Sequence, residues 1–75
     1  MMTREITIFG KKNWPFTLRA REAKAKEGLT VIYRDVKEDD QALAEMLEIT
    51  HGNHRVPVMV EGEKISIGFG GSWKI

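Results

Sequence analysis

The chain contains no cysteine in 75 residues, and that absence constrains its fold before any motif is considered. A domain this small buries little apolar surface, and disulfides or a metal commonly supplement such a core. Disulfides are impossible here, as is any zinc site built on thiolates. The core has to come from packing of a 41% hydrophobic complement within a single domain, residues 1–75. Twelve basic side chains against eleven acidic ones leave a net charge of +1. That balance supplies no global field for nucleic acid or an anionic membrane, and neither is expected as a partner. No apolar run approaches the ~20 residues of a membrane span, and Glu5 interrupts what would be the apolar core of a signal peptide. The chain therefore reads as a cytoplasmic monomer.

Glu5-Ile6-Thr7-Ile8-Phe9 alternates with β-branched and aromatic residues and predicts a strand. Gly10 to Trp14 forms a loop, and Pro15 opens a helix, where its missing N–H costs nothing and its φ is already helical. The helix runs to Glu27, with Phe16, Ala20, Ala23 and the Glu27 stem on one face and Gly28 as the stop. Val31–Val36 is a second strand, apolar enough to predict burial on both faces. Asp39 or Asp40 caps a second helix, whose stripe is Leu43, Met46, Leu47 and Thr50 and whose end is His51-Gly52-Asn53. Pro57–Val60 and Lys64–Ile67 form a hairpin around Glu61-Gly62-Glu63. The order is βαβαββ, an α/β fold. A right-handed first βαβ unit gives a parallel pair, and the hairpin adds antiparallel beside the first strand to complete a four-stranded mixed sheet. Two short helices leave one face thinly covered.

Chemistry is expected where the first strand meets the first helix. The helix N-terminus stabilises an anion at position 14 and would depress the pKa of a thiol there. Position 14 holds a tryptophan, which cannot titrate.

Around that slot the chain resembles the glutaredoxins and the related redoxins that serve ribonucleotide reductase, which carry Cys-Pro-aromatic-Cys there. Trp14-Pro15-Phe16-Thr17 occupies the place with both cysteines replaced. Ile6–Lys11, Ala20, Arg55-Val56-Pro57-Val58 and Ile67-Gly68-Phe69 continue the resemblance in family order. It implies a thioredoxin-like fold with a truncated C-terminal helix, since Gly68–Ile75 is too short for a full one. It also implies a cis Val56-Pro57 bond with Val56 offering its backbone to substrate, and a glutathione site drawing on Lys11, Arg55, Val56, Pro57 and Gly68. Arg55 replaces a usual threonine, and Gly70 and Gly71 stand where glutaredoxins present acidic residues.

Three readings of position 14 follow. It stands for selenocysteine, a UGA codon rendered as tryptophan, in which case the motif resembles the UXX-star glutaredoxin-like selenoproteins. Trp14 would then mark the nucleophile of a thiol/selenol–disulfide oxidoreductase in electron transport, and Thr17 the position of the missing resolving cysteine. Its partners would be a disulfide-containing protein or glutathione, the latter as co-substrate, with no bound cofactor. Alternatively the tryptophan is native and the domain is a non-catalytic module binding a peptide or small anion, with Trp14 as an aromatic anchor. The third reading is a purely structural module. As written, the chain has no group able to exchange thiols. His51 and His54 have no evident third ligand, and no metal is expected. Met46 and Met59 read as core, and Trp73 as a cover for the face a final helix would otherwise protect.

Overall fold

The computed structural model describes residues 4–75. β1 (Glu5–Gly10) runs parallel to β2 (Thr30–Asp35), with Ile8 opposite Tyr33, and α1 (Pro15–Lys26) makes the crossover. After α2 (Asp40–Thr50) and the two-residue β3 (Arg55–Val56), β4 (Val58–Glu61) returns antiparallel to β1. β5 (Lys64–Ile67) then pairs with β4, and the sheet order is β2-β1-β4-β5. This is the thioredoxin-like mixed sheet that the sequence implies.

Alternation along β1 divides the core into two halves, one on each face of the sheet. Ile6 and Ile8 pack with Met59, Leu29 and Ala20 of α1. Phe9, on the opposite face, packs with Val58, Val56, Val36 and with Ala42 and Met46 of α2. Met46 and Met59 are core, as expected.

The α1 stripe differs from expectation. Thr17 and Ala20 are buried, Phe16 and Ala23 are only half-buried, and Glu27 is exposed. The helix is rotated so that Thr17 lies against Gly10, where a Cβ would stand 2.5 Å from the threonine Cγ2. Glu27 is the C-cap and pairs with Lys24 at 3.3 Å. At α2 the cap is Asp39, whose side chain accepts from the Gln41 and Ala42 amides at 3.0 and 3.2 Å. The helix ends with His51 in the left-handed conformation at φ 57°.

Two further expectations are corrected. β2 is an edge strand and not buried on both faces: Ile32 is 40% exposed, because α2 is too short to reach it. Ile65 and Ile67, which register with Val60 and Val58 on the same face, are exposed for the same reason. A groove of about 520 Å³ opens there, lined by Thr7, Phe9, Arg34, Glu45 and Val60. The segment after Gly68 contains no remnant of a final helix. Its last element is β6 (Trp73–Lys74), paired antiparallel with β3. No helix among the described residues is long and apolar enough to cross a membrane.

Asp35, at the end of β2, joins the sheet to both neighbouring loops. Its Oδ1 accepts from the Lys37 and Glu38 amides at 2.9 and 3.0 Å. Its Oδ2 accepts from the Lys12 amide and the Tyr33 hydroxyl at 3.1 and 3.0 Å. Burial pushes the Asp35 carboxyl up, but these donors together hold its pKa below the ordinary value. Burial and the bond to Asp35 hold the Tyr33 hydroxyl well above its own ordinary value. Asp35→Ala is expected to cost about 1–3 kcal/mol at pH 7, because it leaves several donors unpaired. The carboxyl titrates lower in the folded state than in the unfolded one. Its contribution is therefore complete above the unfolded value of about 3.9 and is lost as pH falls through the folded one. Urea unfolding of the two chains should differ at pH 7 and converge at the acid end; a gap that persists in acid would show that the charge is not what stabilises this corner.

Candidate active site

The residues singled out from the sequence meet at the C-terminal end of β1. Trp14 is the N-cap of α1, in extended conformation, and its side chain makes no hydrogen bond to the helix amides. Pro15 follows as the first helical residue. The N–H groups of the first turn have no acceptor within the helix, and they and the helix dipole create positive potential at residue 14. No acidic side chain in the first turn offsets it. The loop is held by the Lys12 amide on Asp35 and by Asn13 at φ 72°. Such a backbone is unusual outside glycine, and asparagine is among the residues that tolerate it.

Lys11 Nζ lies 5.0 Å from the centre of the Trp14 ring, a distance at which a cation is attracted to the aromatic face. Trp14 is half-buried and packs against the cluster containing Val36 and Val56. The Val56-Pro57 peptide is cis, as the resemblance implies, and both residues are buried. The Pro57 carbonyl accepts from the Gly68 amide at 2.7 Å. Gly68 sits at φ 91°, opening a turn in which Phe69 N–H donates to the Gly71 carbonyl at 2.8 Å. Arg55 is exposed, and its guanidinium donates to Ser72 Oγ at 3.4 Å.

Thr17, three residues beyond Trp14, is fully buried, and its Oγ1 has no hydrogen-bond partner. A buried hydroxyl left unpaired is costly, on the order of 1–3 kcal/mol. The site thus brings Lys11, Trp14, Thr17, Arg55, Val56, Pro57 and Gly68 into one neighbourhood. His51 and His54 stay apart from it, as a helix cap and a loop residue. Among the described residues no group of three His, Asp or Glu side chains is placed to hold a metal.

Two residues take places at the site that the sequence did not assign them. Trp73, expected over an uncovered sheet face, instead stacks on Trp14, with ring centres 4.9 Å apart and planes tilted by 48°. It also meets Phe16 edge-on at 6.2 Å. Gly71 is the second: a Cβ there would fall 2.4 Å from the Phe16 ring. The glycine cluster Gly68-Phe69-Gly70-Gly71 just before a tryptophan was the available signal for a tight turn delivering that ring.

A family model described as Glutaredoxin matches residues 6–65. Among solved structures the chain is similar to the glutaredoxin (grx-1) from Archaeoglobus fulgidus, with a TM-score of 0.73 and 22% sequence identity over 88% of this chain and 76% of that one. No curated protein sequence matches the chain. At that identity, the likeness to the archaeal structure carries the fold and not the chemistry.

Thr17→Val keeps the shape packed against Gly10 and removes the unpaired hydroxyl. It is expected to stabilise the chain by about 1 kcal/mol, a rise of roughly 4–8 °C in Tm for a domain this size. Gly10→Ala should do the reverse, because the new methyl collides with a buried β-branched side chain. Thermal unfolding of both variants checks the pair, and a destabilised Thr17→Val chain would mean the hydroxyl is satisfied.

Proposed function

Because the chain belongs to the glutaredoxin family, we propose that it is a redox protein whose natural form carries a selenol or thiol at position 14. The observation that carries this reading is the vacant helix cap at residue 14, set beside an unpaired hydroxyl three residues on. A selenolate or thiolate at that cap would take the stabilisation of the free amides and the helix dipole. It would also give the Thr17 hydroxyl the acceptor it lacks, since residues at i and i+3 are neighbours on a helix. The tryptophan uses neither.

The exchange would run as a monothiol cycle. The anion at position 14 attacks one sulfur of a disulfide, forms a mixed disulfide or selenosulfide, and releases the other sulfur as a thiolate, which takes a proton. Thr17 cannot resolve the adduct, so a glutathione thiolate attacks its sulfur and frees the group at position 14. A second glutathione thiolate attacks the glutathione sulfur of the resulting glutathione–substrate disulfide, forming glutathione disulfide and releasing the substrate's other sulfur as a thiolate, which takes a proton. In sum, one disulfide is reduced to two thiols while two glutathiones are oxidised to one disulfide. Lys11, Arg55, the Val56-Pro57 backbone and Gly68 form the proposed glutathione contact. The two cations suit its carboxylates, and the partner would be a disulfide-containing protein or glutathione itself. We place this activity in a monomer working in the reducing cytoplasm. With tryptophan at position 14 the chain performs none of it.

One observation favours the second reading, a non-catalytic module. The Trp14 ring is packed on the core, stacked on Trp73 and covered by Lys11, as a native aromatic anchor would be. The codon for residue 14 separates the two: UGA is expected, and UGG sinks the selenocysteine idea. At the protein level, Trp14→Cys should convert an inert chain into one that reduces a small disulfide in a glutathione-coupled assay. Its thiol is expected to titrate below the usual value of about 8.5, as helix-terminal thiols do. A folded Trp14→Cys chain without activity, with an ordinary thiol pKa, would leave the binding module as the better account.

A further inference from the structure

The strand edge at Arg55–Val56 is already occupied by the chain itself. Val56 pairs with Trp73 and Arg55 with Lys74, and the Ile75 amide donates to the His54 carbonyl at 2.9 Å. The occupant lies across the site, because Trp73 covers Trp14 and Phe16. Ile75 packs on the core cluster and Arg55 donates to Ser72 Oγ, but the backbone pairing itself is short. The ladder has two residue pairs against the six that join β1 to β2, and short peripheral pairings open at small free-energy cost. Trp73 remains 45% exposed despite its stacking. Like charges, Arg55 and Lys74, stand directly opposite one another, an arrangement that destabilises a strand pair. At Gly70, φ is 72° and a Cβ would have nothing within 4 Å, so this point of the turn is unpacked.

We propose that Ser72–Ile75 is a built-in, displaceable occupant of an extended-peptide site centred on Val56 and residue 14. The partner it gives way to is an extended segment carrying an aromatic residue followed by an acidic one. The aromatic side chain takes the place of Trp73 against Trp14 and Phe16. The acidic residue stands opposite Arg55, turning a repelling pair into an attracting one. The backbone of the partner adds as a strand, the mode by which an open sheet edge binds peptides. An occupant tethered through a short turn competes at an effective concentration on the order of millimolar, so only a segment that improves on Ser-Trp-Lys-Ile enters. The inference rests on residue 14 being the centre of the site, as proposed above, but none of its steps needs a nucleophile there.

The test uses the full-length chain and three variants: Trp73→Ala, Trp73→Phe and Lys74→Glu. In the unaltered chain the Ile75 amide should exchange with solvent more slowly than an unprotected amide, yet far faster than the amides of β1. Lys74→Glu should slow it a further ~3- to 10-fold by reversing the cross-strand charge. The synthetic hexapeptide Gly-Gly-Ser-Trp-Glu-Ile, followed by NMR, should shift the Arg55 and Val56 amides. It should do so in Trp73→Ala at a concentration about tenfold or more below that required in Lys74→Glu, with the unaltered chain between them, given the weight of one aromatic contact. Trp73→Phe, which keeps a ring in place, should stay close to the unaltered chain. An unprotected Ile75 amide, or peptide shifts equal in all chains or absent from Arg55 and Val56, would overturn the proposal. If Trp73→Ala fails to fold, the comparison of Lys74→Glu with the unaltered chain decides alone. An inactive Trp14→Cys chain that still shows these shifts would refute the redox reading and leave the occupant standing; the opposite pattern would do the converse.

Discussion

Ile6 and Ile8 bury their side chains under α1 while Phe9 buries its ring under α2, so one strand carries core on both of its faces. A chain this short has apolar residues for two thin cores only if they share a sheet, and β1, like β4 with Val58 and Met59, serves both. Its two neighbours follow from that demand. β2 joins by a parallel crossover, which needs a helix, and β4 joins antiparallel on the other side. Each helix then covers one face. The cost appears at the margins, where Ile32, Ile65 and Ile67 lie beyond the reach of α2.

The same strand sets the site. Where β1 ends, Gly10 lets Thr17 approach, which settles α1 close over the sheet and puts residue 14 at its N-terminus. Asp35, at the end of the adjacent parallel strand, grips the Lys12 amide and fixes the loop between. Val56, after α2, joins the Phe9 half of the core, and Pro57 is buried beside it in sequence. Reactive positions at the carboxyl ends of parallel strands are a general outcome of such folds, because helix N-termini point there. The family supplies that arrangement, and this chain puts a tryptophan where it would act.

Much of this was legible along the chain. The alternation of Ile6, Ile8 and Phe9, the proline that opens α1, the aspartate that caps α2 and the hairpin around Gly62 are local signals with local causes. The motif residues Trp14, Pro15, Phe16 and Thr17 lie with Val56-Pro57 and Gly68 around the C-terminal end of β1. The readings that failed depended on neighbours. Whether Val31–Val36 was central or at an edge depended on the order of strands, not on its own apolarity. The rotation of α1 that buries Thr17 instead of the Glu27 stem depended on the space left by Gly10. Asp35 carries no local signal of its role, because the Lys12, Lys37 and Glu38 amides reach it only in the folded chain.

The element order, the absence of any thiol and a helix N-terminus at a residue that cannot ionise were all readable along the chain. Each of these follows from short-range periodicity or from residue chemistry, which needs no partner to be read. That Trp73 and Lys74 form a strand was settled by the folded chain alone. So were its place at the edge beside Val56 and the closure of Trp73 over Trp14. Two residues carry no period, and a strand exists only when another strand lies within hydrogen-bonding distance. That condition belongs to the folded chain as a whole.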